Sequence, residues 1–173
     1  MPSRGWSSLR IMGWILAAVC VVALTGVAAA RVAHRASSTT LTTEKAKPGT
    51  VIVTSTRRAL YLFTKDPSGR STCAGACAKA WPPLIANGKV TVARGSGLKA
   101  SLLGTTRRSD HRLQVTYDHH PLYMFGGDHR AGQINGEGAS AFHGHWYLVS
   151  PAGGAVKPKK KSGGVCDPLC PGY

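Results

Sequence analysis

The stretch Leu60-Tyr61-Leu62-Phe63-Thr64-Lys65-Asp66 returns 62 residues later as Leu122-Tyr123-Met124-Phe125-Gly126-Gly127-Asp128. A looser echo, Ala80-Trp81 and His145-Trp146, recurs at an offset of 65. Two copies of a unit of roughly 60 residues must therefore share one compact body, too few for a solenoid whose repeats stack in a row. The duplication predicts a small domain of two tandem related units, about 50–104 and 105–153.

The local patterns predict that these units are mainly β with short helical turns. TVIVTST and ALYLF carry β-branched and aromatic residues on either side of Arg57-Arg58, which predicts a two-stranded ribbon. Asp66-Pro67-Ser68-Gly69 has the residue order of a type I turn. The alanine-rich AGACAKAW predicts one or two helical turns stopped by Pro82-Pro83. A turn at Asn87-Gly88, a strand at KVTVA, a short helix at LKASLL closed by Gly104, and an alternating strand at LQVTY follow. The core comes from about 100 residues, enough for one domain with little surplus stability.

Outside that core the chain changes character. Arg4 and Arg10 precede an uncharged run from Ile11 to Ala30 that ends at Arg31. At 1.5 Å per residue a helix of this length reaches across most of a bilayer core. Ala28-Ala29-Ala30 equally suits the small-residue rule for signal cleavage. Residues 1–30 are thus expected to be an export signal or an N-terminal transmembrane anchor. Cys20 follows Ala17-Ala18-Val19, a poor setting for lipidation. Residues 31–49, rich in Ser, Thr and Lys, read as a flexible linker, and 154–173 as a basic, cysteine-containing tail. Either N-terminal reading places the remainder outside the cytoplasm, membrane-anchored or secreted into the cell envelope. The net charge of +15 would ordinarily suggest nucleic acid. Export argues against that partner and for anionic cell-wall polymer or lipid headgroups, with the cytoplasmic membrane itself a partner if the N-terminal segment is uncleaved.

Tyr61 and Asp66, and likewise Tyr123 and Asp128, sit where a strand would run into a turn. There the ring packs, the hydroxyl reaches the rim, and the carboxylate accepts backbone N–H groups. A ligand site is the alternative, whereas hydrolysis by paired carboxylates needs two acids held close with one pKa raised. Cys73 and Cys77, and Cys166 and Cys170, share a four-residue spacing. In an oxidising compartment these are candidate disulfides, local or crossed between body and tail. A CxxxC pair is neither the CxxC of thioredoxin-like proteins nor a haem-attachment motif. His119, His120, His129, His143 and His145, with Met124 and the cysteines, form the pool for a soft-metal or zinc site. No acidic general base stands in a recognisable spacing beside them. Trp81, Tyr117, Trp146 and Tyr147 read as core and rim packing. GGDHRAGQINGEG is glycine-rich but lacks the P-loop Lys-Ser/Thr and any GxGxxG series.

LYLFTKD, STCAGACAKAWPP, QVTYDHHPLYMFGGD, GQINGEG and WYLVSPAG, in this order, resemble the bacterial secreted-repeat family of predicted lipoproteins with a Tyr-x4-Asp motif. The resemblance runs from about Val51 to Gly153. It implies an exported envelope protein with tandem units and no established activity, its motif falling on Tyr61/Asp66 and Tyr123/Asp128. This chain has Tyr117-Asp118-His119-His120 where the family commonly has a Tyr-Asn-Gly turn. The lysine-rich tail lies outside the resemblance.

The reading is an exported, envelope-associated structural or binding module, with no enzyme activity and no metal or other cofactor expected. The alternative is a redox or metal-handling accessory of copper, zinc or haem.

Overall fold

The structure, a computed structural model, describes residues 38–156. Among these described residues nine short strands form three three-stranded sheets, with one five-residue helix, so the expected class holds. β1 (Ser38–Ala46) turns at Lys47-Pro48 into β2 (Gly49–Thr54), pairing antiparallel from Leu41↔Thr54 to Ala46↔Gly49. β4 (Lys89–Val92) joins the other edge of β1 in parallel. In the second half β5 (Leu103–Arg107) and β6 (Leu113–Tyr117) repeat the β1–β2 hairpin, and β7 (His120–Pro121) extends it. β3 (Tyr61–Phe63) pairs with β9 (Gly144–Leu148), which also carries β8 (Ser140–Ala141).

Several sequence expectations are corrected. Residues 38–46 are the central strand β1 and not linker, because β-branched threonines flank Leu41 on both sides and Leu41 itself is wholly buried. TVIVTST takes β1 as its ladder partner, while ALYLF touches it only through the Val53↔Ala59 bridge. The LKASLL helix shrinks to a single 3-10 turn at Ala100–Leu102, since Leu103 enters the β5 ladder opposite Tyr117. The turn after Asp66 is displaced by one residue: Arg70 N–H donates to Pro67 O at 3.0 Å, with Gly69 at φ 69°. The body extends to Val156, whose N–H donates to Leu148 O at 2.8 Å. The expected transmembrane helix is corrected too: among the described residues no helix is long and apolar enough to cross a membrane. The run 11–30 itself, Cys20, Cys166, Cys170 and the tail beyond 156 lie outside the described residues.

The two units are interlocked. The strand after Trp81 crosses into the second unit, where Leu84 N–H donates to Leu122 O at 2.9 Å and Val115 N–H to Leu84 O at 2.8 Å. The strand after Trp146 crosses back, where Val149 N–H donates to Leu60 O at 3.1 Å and Ile52 N–H to Val149 O at 2.8 Å. Each unit therefore lends its closing strand to the other, and the mirrored bonds define a pseudo-two-fold relation. Two buried clusters result, one built around Trp81 and Trp146, the other around Leu60 and Leu122.

Candidate functional site

The pseudo-two-fold passes between Tyr61 and Tyr123, which exchange both backbone bonds: Tyr61 N–H to Tyr123 O at 2.8 Å and the reverse at 3.0 Å. Their hydroxyls part company with their own aspartates. Tyr61 donates to Asp128 Oδ2 at 2.7 Å, and Tyr123 donates to Asp66 Oδ2 at 2.5 Å. The spacing of tyrosine and aspartate in the motif thus serves partners 67 and 57 residues away.

Each carboxylate uses its second oxygen to close a loop of its own unit. Asp66 Oδ1 accepts from the N–H and the hydroxyl of Thr72, at 2.7 and 2.8 Å. Asp128 Oδ1 accepts from Asn135 N–H at 2.8 Å. Both tyrosines are fully buried, as is Asp128, whereas Asp66 is half-buried. Burial first, then the Asp128 carboxylate, pushes the Tyr61 phenol well above its usual range. Tyr123 is pushed up by burial and by the charge of Asp66.

Around this exchange the aromatic side chains pack with the same symmetry. Trp81 and Trp146 stack face to face, centroids 4.0 Å apart and planes within 2°. Phe125 covers the outer face of Trp81 at 4.4 Å, and Phe63 that of Trp146 at 4.2 Å, each from the opposite unit. Tyr61 meets Trp81 edge-on at 5.3 Å and Tyr123 meets Trp146 edge-on at 5.1 Å. Such pairs add to what their buried area contributes.

The two loops differ in how they reach this core. In the first unit Cys73 and Cys77 form a disulfide, Cα atoms 5.3 Å apart, at the start of α1 (Ala76–Ala80). In the second, GQINGEG lies against the rings: a side chain at Gly136 would strike Trp81 at 2.7 Å, and the Gly136 N–H donates to the Tyr61 hydroxyl at 3.3 Å. Its Glu137 accepts from Leu148 N–H at 2.6 Å, and burial raises its pKa.

Sequence reasoning missed Arg108 and Gln114. LQVTY was expected to show alternate residues to solvent, yet Gln114 through Tyr117 are all buried, because the extended segment 82–86 runs along it, bridging Ile85 to Gln114, and helps enclose it. Gln114 donates to Leu122 O at 2.7 Å and accepts from Arg108, which also donates to Cys73 O and Ser71 Oγ at 2.7 Å. The Ser71 hydroxyl in turn donates to the Tyr123 oxygen at 2.8 Å, the phenol's own proton being given to Asp66, so Arg108 ties the disulfide loop to the motif. The signal available was a polar residue inside a β-branched run beside an arginine pair.

The histidines are scattered: His120 lies in β7 and His145 in β9, while His119 and His143 sit in turns. Asp118 and His119 occupy a two-residue hairpin with φ of 48° and 62°, the left-handed geometry that Asn-Gly would supply. Phe142 and His143 form a second such turn before β9. Among the described residues no three His, Cys, Asp or Glu side chains gather as a metal site would require.

A family profile described as "Secreted repeat of unknown function" matches residues 42–85 and 104–150, more than half of the chain. The chain belongs to this family. The two matched segments coincide with the interlocked units, each running from its hairpin into the closing strand. As a member of a secreted-repeat family the protein is extracytoplasmic and has no established activity. No curated protein and no solved structure matches the chain.

The disulfide gives the first testable expectation. Replacing both Cys73 and Cys77 by alanine should cost about 2 kcal/mol, the loop-closure value for so short a ring. Urea unfolding should show a lower midpoint with an unchanged slope. A change in slope, or no loss, would contradict a purely local brace.

Proposed function

We propose that this protein is a non-enzymatic module of the cell envelope that binds anionic surface material. The observation that carries this reading is the internal use of both Tyr–Asp pairs: the motif's polar groups are spent holding the two units together. Other acids are engaged as well, Glu44 with Arg57, Asp110 with Arg112 and Glu137 with the Leu148 N–H. Lys45, Lys47, Lys65, Lys79, Lys89 and Arg94 stand exposed around them. A surface so biased attracts polyanions, and the attraction weakens as salt shortens the Debye length.

The test is sedimentation of the full chain with vesicles of phosphatidylglycerol and phosphatidylcholine, and with a soluble poly(glycerol phosphate). Binding to the anionic vesicles or polymer should persist at ~0.15 M salt and be lost by about 1 M, where screening acts over ~3 Å. Equal binding to pure phosphatidylcholine, or none to either polyanion at the lower salt, would overturn the proposal.

A further inference from the structure

β4 and β5 are edge strands of different sheets, and their free edges face one groove of about 870 Å³. Its walls include Val90 and Val92 from one side and Leu103, Gly104 and Thr105 from the other. The ladders fix which backbone groups point into it. Ala93 N–H donates to Leu41 O at 2.8 Å, so alternate residues of β4 turn toward β1 and those of Val90 and Val92 turn away. Asp118 N–H to Leu102 O at 2.8 Å and Arg108 N–H to Arg112 O at 3.0 Å do the same for β5, leaving Leu103 and Thr105 facing outward. Among the described residues Val90, Val92 and Thr105 have no backbone partner at these outward groups, and Leu103 offers its carbonyl alone, its N–H already donating to Ala100 O.

The pseudo-two-fold shows what belongs on such an edge. Leu41 of β1 corresponds to Leu103 of β5, and the edge beyond Leu41 is covered by β4, the alternating segment KVTV. The residues of the second unit that correspond to β4 begin at 154. They fold elsewhere: Ala155 bridges Val149, and Val156 donates to Leu148 O. β5 is therefore left with the edge its counterpart has filled.

We propose that this groove receives an extended, acidic segment of a partner protein, which adds as a β-strand along β5 and faces β4. Strand addition draws affinity from backbone bonds and specificity from alternate side chains. Apolar residues of the incoming segment would rest on Val90, Val92 and Leu113, the last 43 % exposed. The charged residue in the lining is Lys89, with Arg107 at the end of β5, and no acid lines the groove. A chain of net charge +15 is a poor partner for a second copy of itself. Its own terminal segments suit the groove no better: 31–37 carries Arg31 and Arg35, and 157–173 carries four lysines and three prolines. The surface is distinct from the general basic exterior, so polyanion binding and strand addition can fail separately.

The probe is a dye-labelled peptide of alternating valine and threonine with glutamates at both ends, compared with a lysine-ended counterpart, each titrated into the full chain. Fluorescence anisotropy should show the glutamate-ended peptide binding about tenfold tighter or more. On binding, amide exchange at Val90, Val92 and Thr105 should slow by about tenfold or more, whereas Leu103, its N–H already bonded to Ala100 O, should change little. Thr105→Pro removes an outward N–H without touching the β5–β6 ladder and should abolish the protection. Lys89→Glu, on an exposed side chain, should reverse the preference between the two peptides. Absent binding, indifference to the terminal charges, or protection elsewhere would overturn the proposal. So would protection already present in the peptide-free chain that vanishes on deleting 157–173, or that grows with protein concentration; the first would assign the groove to the chain's own tail, the second to another copy.

Discussion

Cut between Arg94 and Gly95, the chain should yield two fragments that are each unfolded alone and fold when mixed. Arg94 and Gly95 are exposed and lie in the loop joining the units. Every mirrored bond around the pseudo-two-fold crosses this cut: Leu84 to Leu122, Val149 to Leu60, Tyr61 to Tyr123 and the two Tyr–Asp pairs. The first fragment would lose the ladder partner of β3 and half of the Trp81–Trp146 stack. What remains is one small three-stranded sheet on either side, β2-β1-β4 in the first fragment and β5-β6-β7 in the second. Each is stripped of the apolar partner it packs against and has too little buried area for independent stability. Circular dichroism of the separate and mixed fragments checks this. Each alone should give a disordered spectrum, and an equimolar mixture should recover β structure in a concentration-dependent way. A first fragment that melts cooperatively by itself would show that the units are independent.

The second large effect is at Asp128. Asp128→Ala strands the buried Tyr61 hydroxyl and the Asn135 N–H, and should cost about 3 kcal/mol. Asp66→Ala removes a half-exposed carboxylate from Tyr123 and Thr72, where water can take its place, so about 1 kcal/mol is expected. Chemical denaturation of both variants compares them directly, and equal losses would refute the asymmetry. The same pairs set the alkaline limit. Both phenols are held above their unfolded value of about 10. Their contribution is therefore complete below pH ~10 and falls as pH rises beyond it, because the unfolded chain then releases protons that the folded chain retains. Tyr61→Phe should flatten that decline.

Much of this was legible in the residues. The LYxFxxD duplication announced two units, and the β-branched runs announced their strands. The short CxxxC spacing kept a local disulfide among the alternatives, and the bond does form. What could not be read was exchange. Tyr61 and Asp66 stand five positions apart, and nothing local distinguishes a bond between neighbours from one between units. The choice is made by the extended segments 82–86 and 144–149 crossing over, a long-range event with no periodic signature. The threonine-rich β1 was obscured for a related reason. Its polar composition resembles linker, and only pairing on both edges and burial of Leu41 reveal a central strand. Arg108 and Gln114 escaped because a buried polar network is specified by its partners rather than by its own sequence.

The interlocking also dictates an order of events for a chain that leaves the cytoplasm N-terminus first. When the first unit has emerged, Tyr61 has no Asp128, Leu62 has no Tyr147 and Ile52 has no Val149. Its strand edges must wait, open to mispairing, until some sixty further residues have crossed, and such distant contacts close slowly. The Cys73–Cys77 ring, spanning four residues, needs nothing from the second unit. It can lock one loop in place while translocation is still under way, and the last strand to arrive, β9, then completes both halves together.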